Sequence, residues 1–389
     1  MPKDSIKVAQ GFIKANQIEG WLIYDYLNTN PIFNKVLPAN GHITRPVFLL
    51  ITPDTNPQLI THHVDQGRFN TQSIQILPYN NRQEMISNLN LILSNINEVA
   101  MEYSPLNELP RISRVDAGTV ELVRSLDTTV ISSSDIVQHT TQTWDDTQLD
   151  THLDAGNKLG IIVNQAFSFI GENLSNQITE YDVAEYIRNL FRDNHLITSD
   201  GPVVAINENS ADPHYEPNKK SKTFKHGDWV LIDLWAKKDI PNSIYSDITW
   251  VAYIGSKVPD SQKSIFDIVV EARDAALSFL KSKFNQNQTV QGWQVDQIAR
   301  NVINSYGYSE YFTHRLGHGI GEDVHSEGVN LDNWETHDTR TIMQGSGFSI
   351  EPGIYLPKRF GMRSEIDVFV GPEGPDASSP VQTQVVLIN

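Results

Sequence analysis

The chain contains no cysteine, which excludes disulfide bridges, thiolate metal sites and a cysteine nucleophile together. Any metal must therefore be held by carboxylate and imidazole. Basic residues are also scarce: 30 Lys and Arg face 47 Asp and Glu, a formal charge of −17. So acidic a surface is repelled by phosphate backbones and anionic lipid, and neither nucleic acid nor a membrane is expected as a partner. Long apolar runs are missing. The opening stretch MPKDSIKVAQGFIKANQIEG holds no signal-peptide core, and nothing approaches the roughly 18 apolar residues of a membrane helix. A cytoplasmic, soluble protein is expected. What the chain does have is apolar mass: 389 residues, 39% hydrophobic, with 15 Phe, 13 Tyr and 7 Trp, enough for two cored domains.

Residues 1–140 alternate short apolar runs with helical patterns. Trp21–Tyr26, Val47–Thr52, Gln58–Val64 and Val99–Tyr103 read as strands, and Ser5–Asn16, Arg82–Leu93 and Val115–Leu126 as helices. This is an α/β domain. The polar stretch from His139 to Thr147 reads as a linker. From 147 to 389 the pattern becomes α+β. Helices are expected over Thr147–Gly171, after the capping-box pattern at Thr179, and around Ile265–Leu280 and Val295–Ile303. Strands are expected over Trp229–Ala236, Asp247–Ile254, Phe348–Tyr355, Met362–Val370 and Val381–Ile388.

Four acids interrupt or adjoin those strands. Asp233 sits inside Trp229-Val-Leu-Ile-Asp-Leu-Trp and Glu351 inside Phe348-Ser-Ile-Glu-Pro-Gly-Ile-Tyr; Asp247 and Glu365 each follow 14 residues after one of them. An unpaired buried carboxylate costs several kcal/mol or neutralises. Taken singly, each reads as a salt-bridged or capping acid. Together, on paired strands whose matching registers share a face, they require a cation. The nitrogen donor is sought in His314-Arg-Leu-Gly-His318-Gly-Ile-Gly-Glu-Asp-Val-His325, where three of the 12 histidines fall. Gly317, Gly319 and Gly321 fit neither the dinucleotide nor the P-loop spacing, and a G-x-S-x-G elbow is absent.

In this order, Asp233, Asp247, His318, Glu351 and Glu365 resemble the five-ligand set of the pita-bread metallopeptidases, the family of methionine aminopeptidase, aminopeptidase P, prolidase and the metal-free creatinase. The flanking words resemble it too: Gly227-Asp-Trp-Val-Leu-Ile-Asp, Tyr245-Ser-Asp-Ile-Thr, Gly317-His-Gly-Ile-Gly, Ile350-Glu-Pro-Gly-Ile-Tyr and Gly361-Met-Arg-Ser-Glu. The resemblance implies an α+β pita-bread catalytic domain at 147–389 after an N-terminal α/β creatinase/prolidase-like domain at 1–140. It implies two divalent metal ions, manganese foremost with cobalt, iron or zinc as alternatives. They would be held by Asp233, Asp247, His318, Glu351 and Glu365, with a water between them activated for attack.

On the same resemblance, Glu351 shuttles the proton, His214 and His325 assist catalysis, and His214, His314, His325 and Arg363 bind substrate. The spacing of His314, His318 and His325 is that of aminopeptidase P and prolidase, which implies hydrolysis of Xaa-Pro bonds in small peptides by a homodimer. The N-domain resembles prolidase in size, favouring dipeptides. Alternatives on this fold are a creatinase-like amidinohydrolase, a dimethylsulfoniopropionate lyase and a non-catalytic binding module. The chain departs from the family pattern at Trp235, where glycine is usual, at Trp250, and across 326–340 before Glu351.

Overall fold

The computed structural model of the chain describes residues 4–70 and 73–389. It divides into two compact units, Met1–Thr143 and Trp144–Asn389. In the first, β1 (Trp21–Asp25), β2 (Val47–Ile51), β3 (Gln58–His62), β4 (Gln75–Tyr79), β5 (Glu98–Met101) and β6 (Thr129–Ser132) form one sheet, ordered β4-β3-β2-β1-β5-β6. The edge strands β4 and β6 escape sequence pattern because they are short and partly exposed, as edges tend to be. Helices α1 (Ser5–Ala15), α2 (Pro31–Val36), α3 (Arg82–Leu93), α4 (Ala117–Arg124) and α5 (Ser134–Thr141) complete the unit. Helix α5 runs into the stretch expected as a linker. Its Ile136 and Val137 are buried, and Thr141 Oγ1 donates back to Val137 O at 2.8 Å, so polar composition there masks an amphipathic helix.

The second unit contains α6 (Asp146–Asn173), α7 (Glu180–Asp193), α8 (Asp260–Asn285) and α9 (Gly292–Ser305). Both α6 and α7 open on capping boxes, Asp145 with Gln148 and Thr179 with Asp182, which satisfy the first free N–H groups. Strands β7 (Leu196–Ile197), β8 (Val203–Ile206), β9 (Trp229–Lys238) and β10 (Ser246–Ile254) form the main sheet, with β10 also pairing the C-terminal strand. Strand β9 is buried on both faces. Trp229 and Leu231 belong to one apolar core; Val230, Ile232, Leu234 and Ala236 belong to another, beneath α6 and α7. Alternation therefore turns Asp233 and Trp235 towards the side of Trp229 and Leu231.

The remaining strands are β11 (Gly319–Ile320), β12 (Gly347–Ile350), β13 (Gly353–Leu356), β14 (Phe360–Arg363), β15 (Ile366–Gly371), β16 (Gly374–Ala377) and β17 (Val386–Ile388). Two stretches expected as single strands, Phe348–Tyr355 and Met362–Val370, are each broken in two: β12 and β15 enter a four-stranded sheet, while β13 and β14 pair alone. Pro352 has no N–H for a ladder, which helps end β12. The registers Ile350↔Ile366 and Gly353↔Arg363 set Glu351 across from Glu365 at this break.

Candidate active site

The five candidate ligands meet at one cleft of about 660 Å³ in the second unit. On the sheet, Asp233 lies opposite Thr249 and Asp247 opposite Trp235, so the two aspartates sit on a diagonal of the β9–β10 ladder. From the other side come Glu351 and Glu365. His318 is delivered by the turn into β11, where Gly317 is obligatory because a Cβ there would stand 2.0 Å from Ser349 O. The backbone N–H of His318 donates to Ser349 Oγ at 3.0 Å, and that hydroxyl donates to Glu351 Oε1 at 3.1 Å.

Asp247, His318 and Glu365 each offer a ligand atom within 4.8 Å of the others. His318 Nε2 also lies 3.4 Å from Glu351 Oε1 and 3.8 Å from Asp247 Oδ2. Burial drives the His318 imidazole well below its ordinary pKa, aided by the neighbouring His325. The ring is therefore neutral, and its Nδ1 faces Gly319 O at 3.4 Å, which leaves the Nε2 lone pair among carboxylates. Burial also raises Asp247 and Glu365 far above the carboxylate range. Repulsion adds to it, from Glu365 and Asp233 on Asp247 and from Glu351 and Asp233 on Glu365. Glu351 is pushed up to about 7 by burial, against the pull of Arg363. Asp233 Oδ1 and Asp247 Oδ1 are buried and find no hydrogen-bond partner among the described residues. Orphaned oxygens, mutual repulsion and an imidazole lone pair are the donor set that a divalent cation completes, so these residues fit a metal.

Arg363 does something beyond lying next to the last ligand. It donates to Asp233 Oδ2, to Thr249 Oγ1 at 2.9 Å and to Tyr355 OH at 3.2 Å. Burial opposes its charge, but Asp233, Tyr355, Glu351 and Glu365 more than offset this and raise its pKa. Tyr355 OH in turn donates to His314 Nε2 at 2.8 Å, since His314 Nδ1 gives its proton to Arg315 O at 2.6 Å. Enclosure and the Arg363 charge push the His314 imidazole down to about 3. His314 is thus tied into the wall through Tyr355. His214 and His325 are exposed along the cleft, the His325 ring standing edge-on to His318 at 4.1 Å.

Several residues support the site from behind the candidate ligands. Thr249 Oγ1 donates to Glu365 Oε2 at 2.7 Å. Asp367 Oδ2 accepts from Ser246 Oγ at 2.6 Å and from Asp247 N at 2.9 Å, anchoring the start of β10. On α9, Asp296 Oδ1 accepts from Leu316 N at 2.8 Å, and Arg300 donates to Phe312 O at 3.1 Å and to His314 O. The i,i+4 spacing of Asp296 and Arg300 was a readable signal of this clamp. The unusual segment 326–340 folds around buried Asp332, Asp338 and Arg340, and it presents Glu335 to the cleft, paired with Arg315 at 3.2 Å.

Residues 156–372, more than half of the chain, match the model of metallopeptidase family M24. Xaa-Pro dipeptidase of Pyrococcus horikoshii is 34% identical over 187 residues, covering 47% of this chain and 48% of the relative. A putative Xaa-Pro aminopeptidase of Mycoplasma genitalium is 32% identical over 200 residues, 51% of this chain and 52% of the relative. The chain thus matches about half the length of these curated relatives. Among solved structures, dipeptidase PepE of Mycobacterium ulcerans has a TM-score of 0.76 at 20% identity, covering 99% of this chain and 97% of that one. X-Pro aminopeptidase of Thermotoga maritima has a TM-score of 0.63 at 24% identity, covering 98% and 99%. These structures establish the fold, α+β pita-bread following an N-terminal α/β unit. The family model, matched over more than half of the chain, shows that the chain belongs to metallopeptidase family M24.

Proposed function

We propose that the protein is a metal-dependent peptidase that hydrolyses Xaa-Pro bonds in small peptides. The observation that carries this reading is the convergence, at one cleft, of an acid–imidazole cluster suited to a divalent cation with exposed histidines. Divalent ions held by Asp233, Asp247, His318, Glu351 and Glu365 supply Lewis acidity and lower the pKa of the hydrolytic water. Manganese is the expected metal, although the oxygen-rich donors also suit cobalt, iron and zinc.

The chain's own groups do the rest. Glu351, oriented by Ser349, takes the proton of the attacking water and delivers it to the leaving nitrogen. That delivery matters for proline, whose tertiary amide must leave as a secondary amine. His325 and His214 donate hydrogen bonds to the developing oxyanion and the peptide backbone. Arg363 holds Asp233 aligned and opposes the upward push of burial on its carboxyl. The curated relatives named as Xaa-Pro dipeptidase and putative Xaa-Pro aminopeptidase support the substrate class. A dipeptide's free carboxylate finds Arg315, His214 and His325 on the cleft surface, which favours dipeptides.

The test is kcat/KM of manganese-loaded protein for Ala-Pro, Ala-Pro-Ala and Ala-Ala, before and after chelation. Ala-Pro is expected to be the best substrate and chelation to abolish turnover. Preference for the tripeptide makes the protein an Xaa-Pro aminopeptidase, and no cleavage of either proline peptide overturns the reading. The same proposal includes a homodimer in the cytoplasm. Among the described residues no helix is long and apolar enough to cross a membrane. Light scattering giving a 43.8 kDa particle would overturn the dimer.

A further inference from the structure

Strand β9 ends the cleft with a residue of unusual bulk. Trp235 follows Asp233 by two positions, so it shares that ligand's face of the sheet and lies directly across from Asp247. On its other flank, just before β8, whose register sets Val203 against Asp233, Gly201 lies against the Trp235 ring. Gly201 has no side chain, and the indole occupies the space: a Cβ on Gly201 would stand 2.6 Å from Trp235 Cζ2. Gly201 also has φ +74°, where side chains are strained. The indole Nε1 donates to Asp200 Oδ1 at 2.9 Å, and the ring packs against the small cluster of Trp144, Ile244, Tyr245 and Ile320. The ring is therefore fixed on three sides, and it lines the cleft, half-buried.

Charge distinguishes the two ends of that cleft. Strand β14 lies over the N-terminal half of β9, where Trp229 Nε1 donates to Gly361 O at 2.9 Å, and brings Arg363 to Asp233 from that side. Arg363 and Arg315 make this the cationic end, suited to the carboxylate side of a peptide. Trp235 bounds the other end, beside Asp200 and the ligand Asp247, and carboxylates next to an aromatic ring suit an ammonium group and the residue that bears it.

We propose that Trp235 is the specificity-determining residue for the substrate's N-terminal side chain, its indole forming the apolar wall of that subsite. The assignment rests on the peptidase reading for its biological meaning, but not for its test. Amino-acid amides reproduce the N-terminal residue without a scissile proline bond. Calorimetric titration of manganese-loaded protein is expected to show leucinamide binding about tenfold tighter than glycinamide, the scale of a side chain on an apolar wall. Trp235→Ala should bring that ratio near one, and Trp235→Phe should retain part of it. The ratio of kcat/KM for Leu-Pro over Gly-Pro should fall in parallel. Metal content and a thermal melt check each variant; should Trp235→Ala not fold, Trp235→Leu and Trp235→Phe carry the same ratios. Equal losses for both amides, or an unchanged ratio, overturn the proposal. Wild-type protein that distinguishes the amides but cleaves no Xaa-Pro peptide overturns the peptidase reading alone. Cleavage without discrimination overturns the wall alone.

Discussion

Glu102 in the first unit and the pair Asp247 and Glu365 in the second are similarly hidden, at 0%, 5% and 2% exposure, yet differ in what surrounds them. Glu102 accepts from Trp21 Nε1 at 2.6 Å, Ser133 Oγ at 3.1 Å and Asn30 Nδ2 at 3.1 Å. Asp247 has an oxygen with no partner among the described residues and faces other carboxylates. Burial therefore does not distinguish a structural acid from a functional one. The surroundings separate these three: Glu102, met by donors, holds strands together, and Asp247 and Glu365, crowded by carboxylates, mark the place a cation would take.

The largest test removes a crowded acid. Asp247→Asn should lower kcat/KM by about a thousandfold or more, because a cation site loses a charged ligand. Manganese should raise the melting temperature of wild type, as any ligand of the native state does, and not of the variant. Without metal, the variant should melt no lower than wild type, since an acid made unfavourable by burial and by neighbouring carboxylates is gone. A metal-free variant melting many degrees lower would show that Asp247 is a structural acid like Glu102.

The reverse holds for Glu102. Glu102→Ala strands three buried donors and should cost about 3 kcal/mol of stability in denaturant unfolding. Turnover per folded molecule should not change. A loss of turnover with unchanged stability would break the comparison from its other side.

A smaller signature is pH dependence. Burial pushes the Glu102 carboxyl up to about 7, against the hydrogen bonds from Trp21, Ser133 and Asn30. Its folded pKa thus exceeds its unfolded value of about 4.5, and between the two the folded state holds a proton that the unfolded state has released. The associated stability is complete below the unfolded pKa and is lost as pH rises through about 7, by up to about 3 kcal/mol. Urea unfolding at pH 5 and pH 7.5 should show that fall in wild type and a reduced fall in Glu102→Gln. Equal falls would place the titration elsewhere.

Local pattern made much of this readable. Asp233 was conspicuous because an acid inside Trp229-Val-Leu-Ile-Asp-Leu-Trp contradicts its surroundings, and Thr179 announced α7 by capping chemistry alone. The breaks at Glu351 and Glu365 were not readable: apolar pattern continues through them, and only tertiary pairing assigns the halves to different sheets. Thr249 and Tyr355 stood in the flanking words without their partners being readable, and Asp367 gave no warning, because an acid within a strand becomes informative only when its partner is known. Arg315 and Glu335 lie 20 residues apart in sequence, and Arg363 lies 130 from Asp233. Glu102 was passed over because it ends its apolar run, where an acid usually reaches solvent.

Glu180 extends the comparison to a satisfied acid inside the same unit as the candidate ligands. It is fully buried, at 0% exposure, beneath the segment that carries His214. Its Oε1 accepts from Ile206 N at 2.7 Å and Asn209 Nδ2 at 3.0 Å, and its Oε2 from Tyr215 OH at 2.7 Å and Lys222 N at 3.0 Å. These partners bracket His214 on both sides, so Glu180 should act as a positioning residue for that histidine. Glu180→Gln keeps the shape but loses the charge and half of the accepting capacity. The expected result is a rise of about tenfold in KM for Ala-Pro with kcat changed far less, the mark of a displaced binding group rather than a lost reacting one. A double-mutant cycle decides whether the effect passes through His214. If it does, Glu180→Gln combined with His214→Ala should be scarcely worse than His214→Ala alone. Full additivity would mean that Glu180 stabilises the unit generally, and its donors would then explain stability without explaining binding.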